Sequence, residues 1–228
     1  MVAAIAVCVL ALWTAAGMAT AGRSEELTSL ISLERDGYLL GVYPPHTLAM
    51  VRISGERYTR AMFMGFEILN RYISGNNALK KRVPMTAPVL QFISETGDGF
   101  DIAFVLPRVL AGMEPDPVDQ RIRLQHQGET FIAVRPFSGY ATSEYAAQQI
   151  AVLKDLLERD GLPVSGSPAV AQFDPPWTPP FMRYNEIWWI LDPSVALSLK
   201  PEERTKIEAA RKAETSRTQP NPASSQVP

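Results

Sequence analysis

The sequence predicts an α+β fold in which tandem β-α-β-β repeats form one distorted antiparallel β-barrel or sheet flanked by two α-helices. Three observations carry this. Two segments with helical periodicity, near residues 57–74 and 143–159, each follow a strand-like run and precede two more. Each helical segment stops at a glycine, Gly75 and Gly161. The strand-like runs are rich in Val, Ile, Phe and Trp and are bounded by Gly, Pro and Asp. Alternation of this kind implies helices packed on one antiparallel sheet.

In chain order, Leu39–Tyr43 and Thr47–Ile53 read as strands split by a turn at Pro44-Pro45. Leu48, Met50 and Arg52 alternate with Ala49, Val51 and Ile53, so this strand is apolar on both sides for much of its length and should be covered on one face and partly covered on the other. The first helix, Arg57 to Ser74, places Tyr58, Met62, Phe66, Leu69 and Ile73 on one stripe toward the core. After a basic loop (Lys80, Lys81, Arg82) come strands at Met85–Ile93 and Phe100–Leu106, with a turn at Gly97-Asp98-Gly99. Pro84 and Pro88 each remove a backbone donor, which puts Met85 to Ala87 at a strand end or edge. The Pro-rich stretch Glu114–Pro117 joins the halves. Thr130–Phe137 is then a strand, broken at Gly139-Tyr140. The second helix, Ser143–Arg159, carries Ala146, Ile150, Leu153 and Leu157 at core spacing, and Ala169–Phe173 and Glu186–Leu191 are the last strands.

The 228 residues are 46% hydrophobic and 20% charged, enough for one sizeable core. A formal net charge of −2 lacks the clustered Lys and Arg that nucleic acid needs, so that partner is excluded. Residues 1–21 read as a signal peptide: Val2–Gly17 is almost wholly apolar and Ala19-Thr20-Ala21 supplies small residues for cleavage. The expectation is export, periplasmic or secreted; the alternative is an uncleaved anchor that tethers the chain to a membrane. The single cysteine, Cys8, lies in this segment, which excludes disulfide and thiolate chemistry from a processed chain. Residues 193–228 read as a short, charged, solvated helix followed by a disordered tail.

Five strings resemble signatures of the SOUL haem-binding family. They are Tyr72-Ile73-Ser74-Gly75-Asn76-Asn77, Lys81-Arg82-Val83-Pro84-Met85-Thr86-Ala87-Pro88-Val89, Phe137-Ser138-Gly139-Tyr140-Ala141, Pro175-Pro176-Trp177-Thr178-Pro179-Pro180-Phe181 and Arg183-Tyr184-Asn185-Glu186-Ile187-Trp188. They occur in the family's order between about Gly37 and Leu191, within a domain at residues 33–192. The resemblance implies a distorted barrel with two flanking helices. It also implies haem or porphyrin held non-covalently and weakly in a shallow hydrophobic groove beside the first helix. The helix face that aligns with that groove carries Phe63, Phe66, Asn70 and Arg71, with Met62 beside it. Arg71 could meet a propionate or be a solvated charge.

Haem needs a flat apolar slot, a cation near its propionates and, optionally, an axial ligand. The two histidines are His46, after Pro44-Pro45, and His126, in the polar stretch Gln125–Gly128 that reads as a loop. His46 is the candidate axial ligand, and Met62 and Met64 are remoter ones. Where some family members carry a histidine before a strand tyrosine, this chain has Val42. The prolines around Trp177 and Phe181 make a rigid loop, read either as a cover for the core or as a wall of the groove.

No Gly-x-Ser-x-Gly elbow, nucleotide-binding glycine pattern or metal-ligand cluster is present, so a non-enzymatic binder with no catalytic residues and no metal site is expected. Two alternatives remain: a binder of another amphiphile or a protein partner, and a carboxylate-dependent hydrolase. For the latter, the fold resembles bacterial effector-binding domains, some of whose relatives hydrolyse strained substrates with a glutamate. Glu67 or Glu186 would serve, although Glu186 reads first as a partner for buried backbone or Arg183.

Overall fold

The computed structural model describes residues 25–94 and 97–218. The expected signal segment 1–21, Cys8 and the tail from Gln219 lie outside the described residues. The strands are β1 (Glu25–Glu26), β2 (Ile31–Arg35), β3 (Tyr38–Tyr43), β4 (His46–Ser54), β5 (Thr86–Ala87), β6 (Val89–Ile93), β7 (Gly99–Val105), β8 (Ile122–Gln127), β9 (Thr130–Ser138), β10 (Ala169–Gln172) and β11 (Tyr184–Ile190). The helices are α1 (Tyr58–Ile73), α2 (Ser143–Arg159), α3 (Val195–Ser198) and α4 (Pro201–Thr218).

Nine strands form one curled antiparallel sheet in the order β2-β3-β9-β11-β10-β6-β7-β4-β8. The tandem units are visible in it. In the first, β4-α1-β6-β7 lie side by side as β6-β7-β4; in the second, β9-α2-β10-β11 lie as β10-β11-β9. They meet where Ala169–Gln172 of β10 pair with Phe92–Val89 of β6. The leading strands are exchanged: β3 leaves β4 to pair with β9, and β8 leaves β9 to pair with β4. Pro44-Pro45 fits this, because a connection without donors cannot close a hairpin.

Strands apolar on both sides are covered on both. On the helix face, α1 packs over Ala49, Val51, Ile102 and Phe104, and α2 over Phe131, Ala133, Phe137 and Ile187. On the inner face of the curl, Tyr43, Leu48, Met50, Leu90, Val105, Val134 and Trp188 form a third cluster. The helix limits follow from their ends. Thr142 accepts from the Tyr145 amide at 3.2 Å and caps α2. Gly75, at φ +113°, closes α1 as the Gly75 amide reaches the Tyr72 carbonyl at 3.3 Å and the Asn76 amide reaches Arg71 at 3.0 Å.

Two expectations are corrected. His126 lies on strand β8, not in a loop: an edge strand needs only a backbone partner, here β4, so its polar side chains gave no strand signal. The C-terminal helix is 18 residues long and docks on the domain instead of standing in solvent. Ile207 is buried with Leu33, Val195 and Leu199, Glu203 meets Arg35 at 2.8 Å, and Arg211 pairs with Glu129. A single buried isoleucine in a charged helix is too sparse a stripe to read beforehand. No described helix is long and apolar enough to cross a membrane.

Gly65 sets how closely α1 approaches β7. A Cβ there would stand 2.3 Å from Ile102 Cγ1 and 2.6 Å from its Cβ, and the latter cannot swing away. Gly65→Ala gains about 1 kcal/mol of helix propensity but overpacks the interface by about 1–3 kcal/mol. Net destabilisation is expected, read as a lower urea midpoint; a raised midpoint would show that α1 lifts off the sheet freely.

Candidate functional site

Each helix covers its own unit, so the line where β6 meets β10 is covered by neither. An open, largely apolar trough of about 960 Å³ lies there. Ile93, Phe100 and Trp189 come from the sheet and Pro168 from just before β10; Ala147, Ile150, Ala151 and Lys154 line the α2 side. Tyr58, the first residue of α1, also borders it. Tyr58 is held edge-on to Phe100 at 5.7 Å, and burial pushes its hydroxyl pKa up. Gln91, fully buried in β6, donates to the Tyr58 carbonyl at 3.0 Å. The Tyr58 hydroxyl itself has no partner among the described residues. Lys154 stands 3.8 Å from Glu158, a loose and well-solvated pair.

The sequence-derived site residues share α1 but not one environment. Phe66 is buried and stands edge-on to Phe104 at 5.2 Å, so it belongs to the core. Met62 is half-buried against that same core. Phe63 is half-buried and belongs to none of the buried clusters. Asn70 is buried, with its Oδ1 unpartnered among the described residues, while Arg71 is exposed and pairs with Glu67 one turn earlier. None of the five lines the trough.

His46 is remote from it too. Its Nδ1 lies 2.8 Å from the Pro44 carbonyl, and burial lowers its pKa against the pull of that bond. It borders a polar cavity of about 270 Å³ beneath the N-terminal segment and α4. There Thr47 donates to Glu114 at 2.6 Å and lies 3.0 Å from His126 Nδ1. Among the described residues no group of three or more His, Cys, Asp or Glu is placed to hold a metal ion.

The proline loop does not cover the core: Phe181 is 82% exposed and Trp177 47%. Its rigidity has another source. Arg183 is buried and donates to the carbonyls of Thr178 at 3.0 Å, Pro175 at 3.1 Å and Pro176, and lies 4.9 Å from the Tyr140 ring centre. Arg183 therefore does not serve Glu186. Instead Tyr184 donates to one Glu186 oxygen and the Trp188 indole to the other, from residues two before and two after on the same face of β11. The alternation Tyr184, Glu186, Trp188 was readable as one strand face; the trough was not, because it is the space between two units.

The SOUL heme-binding protein family model matches residues 29–190. Human heme-binding protein 2 is 26% identical over 130 residues, covering 54% of this chain and 63% of that protein, a little under two thirds of its length. Mouse heme-binding protein 2 is 24% identical over 168 residues, covering 69% and 80%. Bovine heme-binding protein 1 is 24% identical over 147 residues, covering 62% and 76%. Among solved structures, the EcmrR C-terminal domain superposes with a TM-score of 0.52 at 13% identity, over 67% of this chain and 95% of that one, a likeness of fold alone.

Burial chiefly raises the Glu186 pKa, assisted by the charge of Glu26 and opposed by the Tyr184 and Trp188 bonds. A raised folded-state value means that folding favours the protonated acid. That stabilisation is complete below the ordinary value of 4.5 and is lost as pH climbs through the folded value. Glu186→Gln fixes the neutral form. Between about pH 4 and about pH 8 the urea midpoint should fall less steeply in this variant than in the native chain; parallel profiles would show that Glu186 ionises in the fold without cost.

Proposed function

The chain belongs to the SOUL heme-binding protein family, and from that premise we propose that it binds haem or a related tetrapyrrole, non-covalently and reversibly, in the trough between its two long helices. The observation that carries this reading is the open apolar trough over the β6–β10 seam. At about 960 Å³ it is the size of a pocket for a planar macrocycle, and pockets of that class span roughly 300–1,000 Å³. The names of the relatives, heme-binding proteins 1 and 2, support the ligand class.

Within the trough, Trp189, Phe100 and Ile93 offer flat apolar contact to the ring. Lys154, exposed on α2, is placed for a propionate. Haem, once bound, supplies an iron centre, and among the described residues no His, Met or Cys lines the trough to ligate it. Affinity then rests on buried macrocycle area and stays modest. The α1 face, where Phe63 is half-buried and Arg71 exposed, is the alternative seat. Export is proposed from the apolar run ending at Ala19-Thr20-Ala21, with tethering by residues 1–21 as the alternative.

Hemin titration tests the reading through a shifted Soret band and quenching of tryptophan fluorescence, to which Trp189 contributes. Ala151 is exposed and lines the trough, so Ala151→Glu places a charge against the ligand with little effect on folding. About tenfold weaker binding is expected, with Phe63→Ala close to native. Loss of binding in Phe63→Ala alone would move the seat to α1, and no Soret shift in the native chain would sink the ligand class.

A further inference from the structure

Exposed apolar side chains gather at one end of the sheet. β10 ends and β11 begins there, with Gln172 paired to Asn185 on one side and to Val89, the first residue of β6, on the other. The loop between β10 and β11 carries Trp177, Phe181 and Met182, which are 47%, 82% and 63% exposed. α1 runs toward this end, since Tyr58 meets Phe100 at the far end of β7 and Phe66 meets Phe104 at the near one. Leu79, between α1 and β5, is exposed here, as are Val109 and Met113 just after β7. We infer that this end of the molecule docks on an anionic lipid surface, with the β10–β11 loop entering the interface.

The loop is built to present its rings instead of packing them. Arg183 holds the carbonyls of Pro175, Pro176 and Thr178, and four prolines fix φ around them. The rings therefore stand out from the surface with little further entropy to lose on contact. From Pro175 to Met182 no residue is charged, so the tip can enter an apolar medium without dehydrating an ion. Trp and Phe are also the side chains that settle at the boundary between headgroups and acyl chains.

Charge and chain entry favour a bilayer over a protein partner. Lys80, Lys81 and Arg82 follow Leu79, all exposed, and none forms an ion pair among the described residues. Nearby carboxylates are largely engaged: Asp174 accepts from the Tyr184 amide at 2.6 Å, Glu25 accepts from the Arg108 amide at 3.0 Å, and Glu214 pairs with Arg108. Glu26 and Asp116 are exposed acids beside them, so the cations tune the attraction and the rings supply most of it. β1, the first described strand, pairs Glu25–Glu26 with Thr86–Ala87 directly before β6, at this same end. In the sequence it follows the apolar run Val2–Gly17, and a run that tethered the chain would bring this end against the membrane. The trough lies at the opposite end, by Ile93 and Phe100, and stays open to water in a docked molecule. The inference therefore does not depend on what the trough binds.

The test adds the full chain to vesicles of phosphatidylcholine, with and without an equal share of phosphatidylglycerol, made from lipids brominated along the acyl chain. Tryptophan quenching is read, and the difference between the native chain and Trp177→Phe isolates the Trp177 indole from the others, Trp13 of the apolar run included. Quenching of Trp177 is expected, with affinity about threefold or more higher on phosphatidylglycerol and that gain lost in the double variant Lys80→Glu, Lys81→Glu. Phe181→Asp, at a well-exposed side chain, should keep the fold and the hemin affinity and weaken vesicle binding, read through Trp177, by about tenfold. Three results would each overturn the inference: a Trp177 indole still open to aqueous iodide and untouched by bromine, native affinity in Phe181→Asp, or indifference to phosphatidylglycerol. The first would leave the exposed rings to a protein partner.

Discussion

The exchange of leading strands between the two units is the constraint on which the architecture rests. β3 is separated from β4 by Pro44-Pro45 yet pairs with β9, and β8 is separated from β9 by Gly128-Glu129 yet pairs with β4. Neither unit can complete its own sheet without a strand from the other. The units are thus fixed side by side, and the β6–β10 ladder becomes the middle of the sheet. The helices follow their own units, α1 over β4 and β7 and α2 over β9 and β11, so the central seam keeps an uncovered strip. The trough is a consequence of that connectivity. Filling it with side chains would require one helix to lean across the seam and abandon part of its own core.

Much of this was readable from residue spacing. Of the stripe Tyr58, Met62, Phe66, Leu69 and Ile73 all but the half-buried Met62 are buried, and of Ala146, Ile150, Leu153 and Leu157 in α2 all but the half-buried Ile150. Leu48 and Met50 against Ala49 and Val51 implied a strand covered on one face and partly on the other; both faces are in fact covered, since the two sets enter different clusters. Elements whose partners lie in backbone or charge were less legible. β8 is polar because only its β4 side is paired, and α4 is held largely by ion pairs with Arg35, Arg108 and Glu129. Hydrophobic periodicity reports burial, and neither element is buried enough to register.

The candidate sites divide along the same line. Phe66 read as a ligand contact and a core residue at once, and it is buried, edge-on to Phe104. The trough is lined from α2 by Ala147 and Ala151, small residues whose meaning appears only when something is missing opposite them. Arg183 and Glu186 lie three residues apart and invite pairing. In a strand, though, residues an odd number apart point to opposite faces. Arg183 turns to the proline-loop carbonyls, while Glu186 turns inward to its neighbours at positions two before and two after.

That separation also keeps the Glu186 carboxyl away from the trough. A macrocycle with propionates beside a buried carboxylate would suffer repulsion in a low-dielectric setting, where charges interact more strongly than in water. The sheet prevents the encounter: Trp189 contacts the trough and Trp188 packs in the inner-face cluster beside Glu186, adjacent in sequence and on opposite sides of the backbone layer. The two indoles are anchored independently, Trp189 to the Gly166 carbonyl at 2.9 Å and Trp188 to Glu186. A ligand in the trough therefore has no side chain in common with the Glu186 cluster on the other face. Any coupling between them must pass through the register of β11 against β9 and β10, which seven and four residue pairs hold in place.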